Sequence, residues 1–142
     1  MKKTFYTILI IVSINLSLYS QSEKTYDVIK KEHNTIISTE KEYNLILISN
    51  SECGHSLIAL EKIKQFTKKI NIIIIDYGNT EKRKKLKLKY NYTFLNGNEI
   101  NLGYQDFFPK LFLYDNNGNL IWEKEGWFNK NIKKINSKIK SH

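Results

Sequence analysis

The chain of 142 residues contains one cysteine and one proline. A single cysteine cannot close a disulfide within the chain, so the core has to hold without that cross-link. One cysteine and three scattered histidines do not make the four-ligand pattern of a zinc site, and we predict no metal and no other cofactor. The single proline excludes proline-rich linkers, and no internal repeat or low-complexity tail is visible. These absences favour one domain stabilised by its own apolar core.

The first 20 residues are typical of a secretory signal peptide. A basic start, Met1-Lys2-Lys3, precedes an apolar run from Thr4 to Tyr19. Serine and asparagine interrupt the run, which is shorter than the ~20 apolar residues of a membrane-spanning helix. We therefore predict a signal peptide at residues 1–20, a mature domain at residues 21–142, and export to the periplasm or the outside of the cell. A membrane is a partner only if the signal stays uncleaved.

The chain is basic, with a formal net charge of +9. Much of the excess lies in two segments, 81–89 and 130–140. A basic chain can bind nucleic acid. However, lysine, isoleucine and asparagine are frequent throughout, including in the apolar runs, which indicates a general compositional bias. We therefore predict solvated charged faces and no nucleic-acid partner.

Apolar periodicity predicts alternating helices and strands. Helices are indicated by apolar residues at three- and four-residue spacing, and strands by β-branched or alternating apolar runs. The predicted elements, in chain order, are a helix within 21–43, a strand at 44–49, a helix after Cys53, a strand at 70–76, a short helix at 81–90, strands at 107–114 and 120–124, and a helix from Phe128 to Ile139. Residues 91–105 contain two glycines among asparagines and aromatic residues, and are predicted to form a loop or an irregular hairpin.

The helix after Cys53 has the clearest amphipathic pattern. Its predicted buried stripe consists of Leu57, Leu60, Ile63, Phe66 and Ile70. Strand, helix and a nearly continuous β-branched strand in succession predict a βαβ unit, whose two strands lie parallel with a right-handed crossover. The turn signal at 115–119 predicts that the last two strands form an antiparallel hairpin.

Cys53 lies between the end of the first predicted strand and the start of this helix. The unpaired N–H groups and the positive dipole end of a helix stabilise an anion, so a thiol in the first turn is driven toward the nucleophilic thiolate. A free cysteine is often a small buried apolar residue. The flanks of Cys53 are instead small or polar: Glu52, Gly54, His55 and Ser56. We therefore interpret Cys53 as a reactive thiol.

Two segments resemble the thioredoxin superfamily. Cys53-Gly54-His55-Ser56 is similar to the family's CxxC active-site turn, with Ser56 in place of the second cysteine. Residues 107–119 resemble the segment in which a cis-proline, here Pro109, opens a strand that ends in an aspartate and a glycine-containing turn. The resemblance covers Tyr26 to Ile139. It implies an α/β thioredoxin-like fold, with a central mixed β-sheet built from a βαβ unit followed by a ββα unit and flanked by helices.

The resemblance also implies roles for the residues around this turn. In the family, the cis-proline loop faces the reactive cysteine, and the backbone before that proline pairs with an extended substrate segment. The implied catalytic residues are Cys53, Ser56 and His55. The implied substrate-binding residues are Gly54, Phe108 and Pro109.

Three departures from the family pattern limit what it implies. Glu52 replaces the usual tryptophan, and its carboxylate opposes ionisation of the neighbouring thiol. Leu47 stands where many thioredoxins keep a buried acid for proton transfer. Ser56 removes the resolving thiol, although its hydroxyl can donate a hydrogen bond to a thiolate. His55 is either a cation beside the sulfur or an exposed turn residue.

A single thiol can still perform the first half of disulfide exchange. Its thiolate attacks a disulfide and forms a mixed disulfide. Without a second sulfur, release depends on the substrate's other thiol, a small thiol or a partner protein. The sequence therefore predicts thiol–disulfide exchange of the monothiol reductase or isomerase type, with cysteine-containing client proteins or small thiols as partners. A dimer linked through Cys53 is left open.

Two alternatives remain at this stage. The first is a redox-inactive binding or chaperone-like protein that holds extended peptides at the cis-proline loop, because a fold alone does not fix a function. The second follows from a likeness to the Cys-Gly-Phe-Ser turn of monothiol glutaredoxins, which hold an iron–sulfur cluster with glutathione. Export and the flanking Glu52 disfavour that reading.

Overall fold

The computed structural model describes residues 24–100, 102–103, 108–127 and 129–140. The predicted signal peptide at residues 1–20 lies outside this part of the chain. Phe107, predicted to begin a strand, and Phe128, predicted to begin the last helix, lie outside it as well. No helix within the described ranges is long and apolar enough to cross a membrane.

Helices and strands alternate along the chain much as the periodicity predicts. The elements are helix α1, which includes residues 24–32; a 3-10 turn at Asn34–Ile36; strand β1 at Tyr43–Ser49; helix α2 at Gly54–Ile63, continued by a 3-10 turn at Lys64–Phe66; strand β2 at Ile70–Asp76; helix α3 at Thr80–Lys89; strands β3 at Thr93–Asn96, β4 at Lys110–Asp115 and β5 at Leu120–Glu125; and helix α4 at Lys130–Lys140.

The five strands form one mixed sheet in the order β3-β2-β1-β4-β5. Strand β2 pairs parallel with β1 and with β3. Strand β4 pairs antiparallel with β1 and with β5. The predicted parallel strands of the βαβ unit and the predicted hairpin are therefore confirmed, and β1 lies at the centre of the sheet.

Each face of the sheet is covered by its own apolar cluster. Strand β1 is buried over its whole length, and its side chains alternate between the two faces. Leu45 and Leu47 pack in a cluster with residues of α2 and α4, whereas Ile46 and Ile48 pack in a second cluster with residues of α1. Strand β2 is covered in the same way, which explains its continuous β-branched run.

Strand β3 corrects the prediction of a loop or irregular hairpin over 91–105. Residues Thr93–Asn96 extend the sheet parallel to β2, with Thr93 opposite Ile73. The strand has only four residues and lies at the edge of the sheet, so its apolar residues are too few to show a recognisable alternation. Its place is fixed instead by long-range packing, because the rings of Tyr90, Tyr92 and Phe94 stack in a row against the core.

The predicted buried stripe of α2 was wrong at Leu57. The buried residues of the helix are Ser56, Ala59, Leu60 and Ile63. Leu57 lies beside that stripe rather than on it, and 39% of it is exposed. The helix is also shorter than the stripe implies, because Ile70 already belongs to β2.

The turn between β4 and β5 is held by the carboxylate of Asp115. Its Oδ1 accepts hydrogen bonds from the N–H groups of Asn117 at 2.9 Å and Asn119 at 2.8 Å, and its Oδ2 accepts from the side-chain amide of Asn119 at 2.8 Å. Partial burial opposes ionisation, but these hydrogen bonds outweigh it and lower the pKa of Asp115. Gly118 completes the turn at φ 91°.

We expect Asp115→Asn to lower the free energy of unfolding by about 1 kcal/mol at pH 7, because charge-assisted hydrogen bonds become neutral ones. The folded-state pKa is depressed, so this stabilisation is present above the unfolded value of ~3.9 and is lost as pH falls through the folded value. Urea unfolding of both proteins at pH 7 and near pH 2 measures the difference. A difference that persists undiminished in acid would contradict the role of the carboxylate.

Candidate active site

Cys53 lies between the end of β1 and the start of α2. It is the N-cap residue of α2, with extended torsions of φ −91° and ψ 121°. Its N–H donates to the carbonyl of Asn50 at 2.8 Å, which closes the turn, and its own carbonyl accepts from the N–H of Leu57 at 3.1 Å, which begins the helix. Cys53 is half-buried at the positive end of the helix dipole.

The turn before Cys53 is held from both sides. The side-chain oxygen of Asn50 accepts from the N–H of Glu52 at 2.9 Å, and the N–H of Asn50 donates to the hydroxyl of Ser56 at 3.2 Å. On the other side Gly78 packs so closely that a Cβ there would lie 2.5 Å from the backbone nitrogen of Ser51. The backbone that leads into Cys53 therefore depends on Gly78, which follows the neighbouring strand β2.

The Phe108–Pro109 segment faces the thiol. The peptide bond between these residues is cis. The thiol of Cys53 donates to the carbonyl oxygen of Phe108 across 3.7 Å. The carbonyl of Pro109 accepts from the N–H of Gly126 at 2.7 Å, which ties this segment to the end of β5. Cys53, Phe108 and Pro109 are thus brought together, as the sequence predicts.

The other predicted site residues occupy different places around the sulfur. Gly54 and His55 are exposed on the first turn of α2, and among the described residues outside that turn no atom lies within 4 Å of the position that a Cβ on Gly54 would take. Ser56 is fully buried, and its hydroxyl accepts from Asn50 beneath the turn. Among the residues that the structure describes, no hydrogen bond joins Ser56 to Cys53. The hydroxyl of Ser56 instead holds the turn.

Glu52 has a cation beside it. Its carboxylate oxygen lies 3.3 Å from Nζ of Lys82 at the start of α3, and both side chains are more than half exposed. An exposed pair of this kind stabilises the fold by less than about 1 kcal/mol. Its local effect is to offset the negative charge that the sequence places next to Cys53. Among the described residues, no three metal-ligating side chains come together.

Comparison with known proteins identifies the fold. No family model matches the chain, and no curated protein sequence matches it. Among solved structures, a candidate thiol:disulfide interchange protein DsbE from Chlorobium tepidum matches with a TM-score of 0.56 and 14% identity, over 72% of this chain and 81% of that one. A thioredoxin-like protein from Aeropyrum pernix matches with a TM-score of 0.54 and 13% identity, over 72% and 78%. A secreted Mycobacterium tuberculosis disulfide oxidoreductase matches with a TM-score of 0.56 and 10% identity, over 75% and 84%.

The chain has a thioredoxin fold. The predicted α/β fold class, with its mixed sheet of a βαβ unit followed by a ββα unit, is confirmed. Within this thioredoxin fold, Cys53 and the cis-proline segment meet at the carboxyl edge of the parallel strands.

Tyr77 is a neighbour of the site that the sequence analysis missed. Its ring lies against that of Phe108, with centroids 5.7 Å apart, and its hydroxyl donates to the carbonyl of Ile100 at 3.4 Å. Gly97 also packs against this ring, where a Cβ would clash. Burial raises the pKa of Tyr77, so the ring stays neutral. The sequence offered one signal for Tyr77, an aromatic residue directly after a buried strand. Because the thioredoxin fold places the ends of β1 and β2 at one edge of the sheet, a residue that follows β2 is expected near Cys53.

Asp76 is the second missed residue. It is fully buried at the end of β2, opposite Ser49, whose hydroxyl donates to Oδ1 at 3.1 Å. Nη1 of Arg83 lies 3.7 Å from Oδ2, which is within ion-pair range but too long for a hydrogen bond. The same guanidinium nitrogen donates to the Asp76 carbonyl at 2.9 Å. Leu47 of β1 is apolar at the position where thioredoxins commonly keep an acid. In this chain the buried acid is Asp76, at the end of the neighbouring strand β2.

We expect Gly78→Ala to lower the free energy of unfolding by about 1–3 kcal/mol, because the new methyl group pushes the Asn50–Ser51 backbone away. Gly54→Ala is the matched control, since its methyl group points into open space and alanine favours a helix. Urea unfolding of both variants measures the difference. Equal stability of the two variants would show that the close approach at Gly78 is not required.

Proposed function

We propose that this protein is exported and exchanges thiols and disulfides through Cys53, as a monothiol reductase or isomerase. The observation that carries the proposal is the 3.7 Å contact between Sγ of Cys53 and the carbonyl oxygen of Phe108. The half-buried thiol lies at the N-terminus of α2 and faces Phe108 and Pro109. These two residues precede β4, so no strand of the sheet contains them. Two of the structures named above are described as disulfide interchange or disulfide oxidoreductase proteins, which supports the same chemistry.

The first step is attack by the thiolate of Cys53 on one sulfur of a client disulfide. A new S–S bond forms between that sulfur and Cys53, the client S–S bond breaks, and the second client sulfur leaves as a thiolate that takes up a proton. If this second thiol, or another client thiol, then attacks the mixed disulfide, the client disulfide is restored or rearranged, with no net oxidation. If two small thiols attack in turn, the client is reduced and the small thiols are oxidised to their disulfide.

Each site residue has a part in this scheme. Cys53 is the nucleophile. His55 is exposed beside it and adds positive charge when protonated, which favours the thiolate. Ser56 keeps the turn in place through Asn50 and supplies no second sulfur. Extended client backbone pairs alongside Phe108 and cis Pro109, by a short form of strand addition.

The surroundings of Cys53 leave space for a client. The backbone of Gly54 is open on its outer side. Phe108, whose carbonyl contacts the sulfur, carries a half-buried ring supported by Tyr77, which provides an apolar surface in the same segment. A client with an apolar residue beside its cysteine fits this surface better than one with a charged residue.

A second function is favoured by one specific observation. The Ser56 hydroxyl is fully buried and is used to hold the turn, so position 56 has a structural task instead of a redox one. This suits a redox-inactive protein that holds extended peptides at the Phe108–Pro109 segment. In that case Cys53→Ser leaves peptide binding unchanged, whereas the exchange function is lost.

Treatment with glutathione disulfide tests the exchange function. We expect Cys53 of the wild-type protein to form a mixed disulfide with glutathione that persists until another thiol is added. In Ser56→Cys, the new thiol at the next helical turn attacks that mixed disulfide and releases glutathione. We therefore expect the lifetime of the mixed disulfide to fall about tenfold or more, because the second thiol reacts within the molecule. Mass spectrometry of quenched samples follows both species.

Two variants serve as controls for this experiment. Ser137→Cys adds an exposed thiol on α4, away from the turn, and should not shorten the lifetime. Cys53→Ser should form no mixed disulfide. Failure of wild-type Cys53 to react with glutathione disulfide, or equal lifetimes in Ser56→Cys and Ser137→Cys, would contradict the proposed exchange function.

A further inference from the structure

An apolar groove runs between α2 and α3. It has a volume of about 710 Å³. Leu57 and Ile58 of α2 form one wall, and Leu86 and Tyr90, at the end of α3, form the other. Large apolar side chains are unusually exposed here, 39% for Leu57 and 46% for Ile58. We call this feature the α2–α3 groove.

The α2–α3 groove begins beside the thiol. The carbonyl of Cys53 accepts from the N–H of Leu57 at 3.1 Å, so the two residues are one helical turn apart on the same side of α2. A protein whose disulfide reaches Cys53 therefore has Leu57 one helical turn away. The groove extends the surface around the thiol without any residue of the Phe108–Pro109 segment.

The groove has a basic rim. Glu61 is the one acidic residue that lines it, and its carboxylate already accepts from the hydroxyl of Tyr90 at 2.6 Å and pairs with Lys89 at 3.4 Å. These contacts lower the pKa of Glu61, the hydrogen bond from Tyr90 being the largest cause, so the carboxylate stays ionised and paired. Glu61 therefore repels an approaching acidic segment less than an unpaired carboxylate would.

Lysines line both sides of the groove. Lys64, in the 3-10 turn directly after α2, lines one side and is exposed. Lys89 of α3 lines the other side and pairs with Glu61. Two lysines therefore face one acid along the groove. Helix α3 as a whole carries six cations and one acid.

We propose that the α2–α3 groove binds an acidic segment with leucine-sized anchors, belonging to the protein that exchanges disulfides with Cys53. Apolar walls flanked by Lys64 and Lys89, beside a helix with six cations and one acid, complement such a segment in both shape and charge. The inference rests on the proposed function and names the partner class for the same site. A second copy of this chain is a poor occupant because each copy carries a net charge of +9. A flat anionic membrane does not fill a concave groove between two helices.

A peptide with two leucines four residues apart, several glutamates and no cysteine is the probe. Fluorescence anisotropy measures its affinity for the protein, and the same peptide with lysine in place of glutamate is the charge control. We expect the acidic peptide to bind and the basic one not to bind. Leu57→Ser combined with Ile58→Ser should weaken binding about tenfold or more, because two apolar contacts are lost. Lys64→Glu should weaken it about fivefold, and added salt should reduce that difference.

Matched variants outside the groove separate docking from general effects. Leu88→Ser removes a leucine that is 89% exposed, and Lys87→Glu reverses a lysine that follows Leu86 on α3; neither residue lines the groove. Both should leave affinity within about twofold of wild type. Equal loss in these controls and in the groove variants, or no binding of the acidic peptide, would overturn the proposal. Vesicles of phosphatidylglycerol that bind more tightly than the peptide, through Leu57, would overturn it in favour of a membrane.

A second readout links the groove to the thiol. The acidic and basic peptides are each extended by a cysteine activated as a mixed disulfide, and the rate of transfer to Cys53 is measured. The acidic peptide should react faster, and Leu57→Ser combined with Ile58→Ser should remove its advantage. If Cys53 reacts with neither peptide while the cysteine-free acidic peptide still binds, the proposed exchange function fails and the groove remains a binding site. If both peptides react equally fast, the role of the groove in docking fails.

Discussion

The pairing of β4 with β1 is the constraint on which the site depends. The two strands are antiparallel, and Lys110 at the start of β4 lies opposite Ile48 near the end of β1. The residues just before β4 therefore meet the residues just after β1. This is why Phe108 lies against Cys53 although 55 positions separate them. Parallel β2 ends at the same edge and adds Asp76 and Tyr77 to the surroundings of the turn.

The sulfur is surrounded by interactions that hold the backbone rather than by ionisable partners. The carbonyl of Asn50 closes the turn, and the hydroxyl of Ser56 accepts a hydrogen bond from the N–H of Asn50. Gly78 permits the close approach of the segment after β2. The negative charge of Glu52 is offset by Lys82. Cys53 thus lies at the positive end of α2, a position fixed by the fold. The α2–α3 groove begins on the same helix, so the proposed docking surface and Cys53 share one element.

Much of this arrangement could be predicted from the sequence because its signals are local. Cys53 follows a strand-length apolar run and precedes an amphipathic helix, and Pro109 opens an alternating strand. Other features depend on contacts between distant segments. Strand β3 is too short to show a period, Leu57 lies beside the buried stripe of α2, and Tyr77 reaches Phe108 only because β2 ends at the same edge of the sheet as β1. No local pattern encodes these.

The central claim is that the fold activates Cys53, and its alkylation rate tests this most directly. Iodoacetamide is reacted at neutral pH with the folded protein and with the same protein unfolded in urea, and Ser137→Cys in a Cys53→Ser background reports on an ordinary exposed thiol. We predict that folded Cys53 reacts about fivefold or more faster than both references, as expected for a thiolate stabilised by a helix terminus. A folded Cys53 that reacts more slowly than the unfolded chain would contradict the account.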